Sequence, residues 1–211
     1  MSKPKAGIID ISTNNILSIK RALEFIGFET SVISEDQSIE KFNLIVLPGV
    51  GAFHEAMKTL NDKNLIKTID KSLNKNKNFL GICLGMQLLF QESNEFIKTK
   101  GIGFFKGKVE NFNDFKVHKK TFIGWNKVNF KKKFFDDKNN FDLLQNNAFY
   151  FVHSYFIGTR NQNIENAISY NGNLKFTSIV KKSNVIAFQF HPEKSGISGI
   201  NLLRSVTKNI F

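Results

Sequence analysis

The sequence has one cysteine, Cys83, in 211 residues. No internal disulfide can form, so a reducing cytoplasm is the expected setting. No apolar run approaches the ~20 residues that a membrane-spanning helix needs. Met1 to Ala6 run straight into strand-like sequence, without the apolar stretch and cleavage site of a secretory leader. Arginine is scarce beside lysine. The formal net charge is +12, but the lysines are scattered, with short clusters at Lys119-Lys120, Lys131-Lys132-Lys133 and Lys181-Lys182, and no aromatic-basic signature of RNA binding accompanies them. A solvated basic surface explains the charge better than a nucleic-acid site. There is no internal repeat and no linker, so residues 1–211 are expected to form a single domain, a length that supports one sizeable core.

The chain opens with an α/β pattern. Residues 6–11 read as a buried strand, and Ser12 to Asn14 offer helix caps. Ile16, Ile19, Leu23 and Ile26 recur at helical spacing up to Gly27, and residues 28–33 make a second strand. Strand, helix and strand in that order form a βαβ unit and hence a parallel sheet. Residues 43–47 are wholly apolar, as in a central strand, and Pro48-Gly49-Val50-Gly51 follows at its C-terminal end, where open parallel sheets bind ligands. Helices are expected over 53–60 and 64–74. Beyond residue 100 the pattern changes. Segments 101–112, 121–130 and 148–157 read as strands, 136–140 as an exposed loop, 174–181 and 185–190 as a hairpin turning at Asn184, and about 198–208 as a closing helix. The expected fold is an open, mostly parallel, flavodoxin-like sheet with flanking helices and an antiparallel C-terminal extension of strands.

The chemistry centres on Phe79-Leu80-Gly81-Ile82-Cys83-Leu84-Gly85-Met86-Gln87. An apolar strand runs into Cys83, and a helical pattern leaves it through Leu84, Leu88 and Gln91. Strand, sharp turn and helix with the nucleophile at the turn is an elbow of the G-x-C-x-G type. The helix N-terminus favours a thiolate there. A lone cysteine is more often a small core residue, and position alone leaves both readings open.

A cysteine nucleophile needs a base, and the base needs an orienting group. Of four histidines, His54 and His118 read as surface residues and His153 as structural. His191 emerges from the apolar strand Ala187-Phe188-Gln189-Phe190, and Pro192 fixes the backbone between it and Glu193. No second His or Cys stands at ligand spacing from it, so metal binding is not expected. Gly49-x-Gly51 is followed by His54 where a dinucleotide fingerprint needs glycine, so that reading is weak; no cofactor is expected.

Four segments together carry a family resemblance: Pro48-Gly49-Val50-Gly51-Ala52-Phe53, Gly81-Ile82-Cys83-Leu84-Gly85-Met86-Gln87, Tyr150-Phe151-Val152-His153-Ser154-Tyr155, and Phe188-Gln189-Phe190-His191-Pro192-Glu193-Lys194-Ser195-Gly196. In that order, and spanning nearly the whole chain, they resemble the class I (triad) glutamine amidotransferases. Within that class they look like the glutaminase subunits of imidazole glycerol phosphate synthase. The resemblance implies that Cys83 attacks the side-chain amide of L-glutamine, that His191 moves the proton and that Glu193 orients His191. It implies an oxyanion site at Gly49, Val50, Gly51 and Leu84, and glutamine held by Gln87, Glu95, Ser154 and Tyr155. It also implies a heterodimer with a (β/α)8-barrel synthase subunit that receives ammonia, with Asn15, Tyr150 and Lys194 near that partner.

Two segments depart from the pattern. After Asp10 the family has an aromatic residue and Gly-x-Gly-Asn, where this chain has Ile11-Ser12-Thr13-Asn14-Asn15. Before Gly124-Trp125-Asn126 the family has Pro-His-Met, where this chain has Thr121-Phe122-Ile123. Neither touches the triad, but in the family the first faces the partner. A paralogous glutaminase feeding sugar amidation in surface polysaccharide or glycan synthesis is the alternative on that ground. A catalytically silent binding module and a cysteine peptidase on a similar fold are weaker readings. The intact Cys, His and Glu oppose the former, and the Pro-Gly-Val-Gly loop and glutamine-site residues oppose the latter.

Overall fold

The computed structural model describes residues 2–12, 16–130, 144, 145, 147–158 and 165–210. Strands β1 (Lys5–Ile9), β2 (Glu29–Ile33), β3 (Leu44–Gly49) and β4 (Asn78–Cys83) lie side by side in the order β2-β1-β3-β4, all parallel. Helix α1 (Ile16–Phe25) connects β1 to β2, and α2 (Phe53–Asp62) with α3 (Leu65–Asn74) connects β3 to β4. A five-residue helix, α4 (Leu84–Leu88), starts directly from β4.

The later strands are β5 (Glu92–Ser93), β6 (Thr99–Lys100), β7 (Lys108–Asn111), β8 (Phe122–Lys127), β9 (Ala148–His153), β10 (Tyr155–Gly158), β11 (Glu165–Asn171), β12 (Leu174–Lys182) and β13 (Val185–Phe188), followed by α5 (Gly196–Thr207). Strand β13 returns to pair parallel with β4, which completes the five-strand order of a flavodoxin-like sheet. The antiparallel part then grows outward from β13 through β12, β10 and β7, with β11 on β12. Strands β8 and β9 form a separate antiparallel pair.

Alternation along the central strands sends side chains to two cores. Ala6, Ile8, Leu44, Val46, Leu80 and Ile82 face α1 and α5, meeting Ile19, Leu23, Leu202 and Leu203. Ile9, Ile45, Leu47 and Phe79 face α2 and α3, meeting Phe53, Leu60, Leu65 and Ile69. The first core continues under β8 and β9 as a cluster of rings that includes Phe112, Phe122, Phe149, Phe151, Phe156, Phe176 and Phe190.

Several expectations change. Residues 101–112 do not form one strand; only Lys108–Asn111 does. The N–H groups of Gly101, Ile102, Gly103 and Phe105 instead donate to the carbonyls of Gln91, Leu88, Phe90 and Leu89. They satisfy the carbonyl of Leu88 at the end of α4 and those of the three residues just beyond it, which have no partner inside the helix. That is also why α4 stops at Leu88 and does not run on to Gln91. Segment 148–157 divides at Ser154: His153 still pairs with Phe122 in the small sheet, whereas Tyr155 pairs with Asn111 in the large one. Strand β11 lies where the sequence pattern predicts no strand. The hairpin at Asn184 is present, between β12 and β13. Thr13 and Asn14, read as caps, and the loop 136–140 lie outside the described residues, as does Asn15.

Candidate active site

The elbow comes from β4 and α4. Cys83 has φ 54° and ψ −108°, a region that non-glycine residues occupy at ~1–3 kcal/mol. The strain persists because both sides are pinned. Strand β4 is paired to β3 and β13, with Gly49 in register with Cys83. Helix α4 lies so close to β3 that a Cβ on Gly85 would sit 1.8 Å from the Leu47 carbonyl oxygen. The crossing therefore requires glycine at 85, and the turn at 83 follows from the crossing.

His191 follows β13 by way of Gln189 and Phe190, and its N–H donates to the Tyr150 carbonyl at 2.9 Å. Its Nδ1 stands 2.8 Å from Glu193 Oε1, with both side chains fully enclosed. A carboxylate only accepts, so Nδ1 carries the proton and Nε2 is left for the Cys83 sulfur, with which the ring also interacts. Burial pushes the imidazole down, but the charge and hydrogen bond of the Cys83 sulfur, together with those of Glu193, outweigh it and raise His191 to about 10. The site thus favours the imidazolium form of His191.

In front of the sulfur lies a cavity of about 410 Å³ lined by Val50, Gly51, Cys83, Leu84, Gln87, Glu95, Phe96, Val152, His153, Ser154 and Tyr155. Every residue expected to hold an oxyanion or glutamine is on that wall except Gly49, which sits behind it at the end of β3. His191 and Glu193 lie behind Cys83, outside the lining. Glu95 accepts from the Phe53 N–H at 2.7 Å, the first residue of α2. Burial raises the Glu95 carboxyl, opposed by that N–H and by His54. Gly51 has φ +106° with open space where a Cβ would go, so conformation alone sets its demand for glycine.

Four further residues stand at or beside the site, although none of them is expected there from sequence. Phe96 stands on the rim, 77% exposed, with φ 58° and its ring edge-on to His54. His54 is half-buried, with its Nε2 3.0 Å from Glu55 Oε1, more enclosed than its reading as a surface residue. Gln189 is fully buried and reaches both Gln87 and Cys83; an amide inside an otherwise apolar strand was the available signal. His153, read as structural, is buried among Phe112, Phe122, Phe151 and Phe176, yet it also lines the cavity. Its Nδ1 donates to the Tyr155 carbonyl at 2.8 Å, and burial drops its imidazole to about 4. His118 is exposed. Among the described residues no group of three or more His, Cys, Asp or Glu side chains is placed to hold a metal ion.

Of the residues expected near a partner, Lys194 is exposed and Tyr150 half-buried. Their segments adjoin, since the Tyr150 N–H donates to Ser195 Oγ at 3.0 Å. In the departing segment after Asp10, Ser12 keeps φ 60°, a conformation that suits glycine, and is held by Lys63 Nζ at 2.8 Å and by its own N–H to Asp10 Oδ1 at 2.7 Å. Thr121 Oγ1, in the second departing segment, is 2.9 Å from Ser154 Oγ.

The fold and this arrangement define a class, and the sequence agrees: the model of the family glutamine amidotransferase class-I matches residues 7–206, and the chain belongs to that family. It is a glutamine amidotransferase. Its relatives narrow the class. It is 38% identical over 201 residues to imidazole glycerol phosphate synthase subunit HisH of Caldanaerobacter subterraneus subsp. tengcongensis, covering 94% of this chain and 95% of the relative. It is 40% identical over 200 residues to the protein of the same name from Aquifex aeolicus, covering 94% and 93%. With the protein of that name from Helicobacter hepaticus it shares 38% over 213 residues, covering 96% and 97%. Among solved structures, a glutamine amidotransferase superposes with a TM-score of 0.73 at 18% identity, covering 97% of this chain and 98% of that one. The PurLQS structure from Thermotoga maritima gives a TM-score of 0.74 at 17% identity over all of both chains. At such identities these two speak for the fold alone.

Proposed function

We propose that this chain is the glutaminase subunit of an imidazole glycerol phosphate synthase, acting as a single cytoplasmic domain in a heterodimer with a (β/α)8-barrel synthase subunit. The observation that carries the chemistry is the enclosed His191–Glu193 pair at 2.8 Å behind a cysteine held at a strained elbow. The Cys83 thiolate attacks the carboxamide carbon of glutamine. The imidazolium of His191 gives its proton to the leaving nitrogen, and ammonia departs from the tetrahedral intermediate. The neutral imidazole then takes a proton from water, the resulting hydroxide attacks the thioester, and glutamate and the thiolate are regenerated. Glu193 keeps Nε2 turned toward the sulfur throughout.

The oxyanion is assigned to backbone N–H groups at Leu84 and in the Gly49–Gly51 loop, next to the sulfur because β3 and β4 pair in register there. Glutamine is assigned to Gln87, Glu95, Ser154 and Tyr155. Gly51, with its positive φ, is the natural hinge of an oxyanion loop that closes only when the partner is engaged. Tyr150 and Lys194 face that partner. The acceptor is inferred from the relatives, whose names all specify imidazole glycerol phosphate synthase. Nothing in them favours sugar amidation.

Two measurements test this reading. With its own synthase subunit and that subunit's ligand present, the protein is expected to release glutamate from glutamine with a kcat well above that of the free subunit. Cys83→Ala should reduce that rate to background without loss of folding, His191→Ala by ~10²–10⁴, and Glu193→Gln by less than His191→Ala. The gene, supplied with its barrel partner to a histidine auxotroph lacking this subunit, should restore growth. A soluble, glutamine-hydrolysing pair that never restores growth would assign the ammonia elsewhere.

A further inference from the structure

Three amides and a sulfur form a chain across the floor of the site. Gln87 Nε2 donates to the Tyr155 carbonyl at 2.9 Å and to Gln189 Oε1 at 3.1 Å. Gln189 Nε2 stands 3.8 Å from Cys83 Sγ. The direction of every link is settled at one end. A backbone carbonyl can only accept, so Gln87 must present its NH₂ group to Tyr155. The same nitrogen reaches Gln189, so Gln189 must accept there with its oxygen. Its own NH₂ group is then turned to the sulfur. Gln189 has no solvent exposure and Gln87 is 5% exposed, so water does not compete for these bonds.

We infer that Gln189 is a positioning residue that donates an N–H to the Cys83 thiolate and, through its oxygen, locks the amide of Gln87 with both donors occupied and its oxygen free for the glutamine cavity. An N–H to sulfur stabilises the charged nucleophile more than the neutral thiol. It also gives the sulfur a second donor beside His191, so the thiolate keeps a fixed place when the imidazolium gives up its proton. The second bond couples the nucleophile to substrate binding: a Gln87 amide left unlocked could turn its NH₂ group to the cavity and lose its acceptor there. This inference rests on Cys83 being the nucleophile, as proposed above.

Cys83 is the only cysteine in the chain, so alkylation by iodoacetamide reads this sulfur and no other, without any need for turnover. The pH dependence of the alkylation rate is to be measured for the full-length wild type, Gln189→Met and Gln189→Glu. Methionine keeps the bulk and removes both bonds. Glutamate keeps the acceptor for Gln87 but replaces the donor with negative charge. The pH of half-maximal alkylation should rise in the order wild type, Gln189→Met, Gln189→Glu, with the thiolate fraction at a fixed pH below the midpoint falling about tenfold in Gln189→Met. In the complex with the synthase subunit, Gln189→Met should raise the KM for glutamine severalfold as well as lower kcat, whereas Gln189→Glu should lower kcat and leave KM within about twofold. Equal midpoints in wild type and Gln189→Glu would overturn the inference, and so would equal shifts in the two variants, which would mean general loosening. If a variant fails to fold, as judged by circular dichroism, the other one decides. Absence of glutamine hydrolysis by the wild-type complex would instead count against the proposed function and leave the alkylation order to be read on its own.

Discussion

Two histidines 38 positions apart in the chain, His153 and His191, are buried in the same region and pushed in opposite directions. The cause is which partner each one meets. His153 has rings on its faces and a carbonyl at Nδ1, so burial dominates and it stays neutral down to about 4. His191 meets a carboxylate and a sulfur, which outweigh its burial and raise it to about 10. The consequence for stability has a definite sign. Between pH 6.5 and about 4 the unfolded chain protonates His153 and the native one does not, so stability is lost as pH falls, by ~3 kcal/mol in full. His191, raised when folded, contributes stability that is complete below pH 6.5 and is lost as pH rises toward about 10. Thermal unfolding across pH 4 to 10 should therefore crest near pH 6.5. His153→Gln should flatten the acid side, and Glu193→Gln should shrink the loss on the alkaline side. Wild-type slopes unaltered by both substitutions would contradict these assignments.

At the scale of the element, the elbow is a contest between local preference and packing. Cys83 would not choose φ 54° by itself; the approach of α4 to the Leu47 carbonyl imposes it. Two variants separate these contributions. Cys83→Gly relieves the turn, and against the small entropy cost of glycine it should melt above Cys83→Ala by a few degrees, at ~2–4 °C per kcal/mol for a chain of this size. Gly85→Ala places a methyl on backbone that cannot yield, and should cost ~1–3 kcal/mol or more, seen as a lower melting temperature or loss of soluble protein. Gly51→Ala, with open space around it, should leave the protein folded and act on the glutaminase rate alone.

For the whole molecule, the small β8–β9 sheet matters most. It carries Trp125, 58% exposed, and Ile123, 54% exposed, beside Tyr150. Apolar side chains exposed together mark an interaction surface, and this one adjoins the His191–Ser195 segment through the Tyr150 backbone. Trp125 is the only tryptophan. Titration with the synthase subunit should move its emission to shorter wavelength and saturate at one partner per chain. Trp125→Ala should weaken complex formation while leaving the alkylation of Cys83 in the free subunit unchanged. An emission spectrum indifferent to a partner that activates the enzyme would place the interface elsewhere.

Much of this was legible in order along the chain. Periodicity located β1, α1, β3, the two following helices and the β12–β13 hairpin, because each buries a regular stripe against one sheet. The strand–Cys83–helix turn and the His191-Pro192-Glu193 step could be read because their parts lie within a few residues of one another. The fate of residues 101–107 could not. They are apolar and glycine-rich like a strand, and only the presence of unsatisfied carbonyls at the end of α4 draws their N–H groups away from a sheet. Nor could the break at Ser154, which depends on two different sheets each claiming one side of a single apolar run. The order of residues alone reveals a cysteine at the end of one buried strand and a histidine and a glutamate just past the end of another. That Gln189, one amide in an apolar run, links the Cys83 sulfur to Gln87 on the wall of the cavity emerges only from the folded chain, because hydrogen bonds between residues more than 100 positions apart leave no period in the sequence.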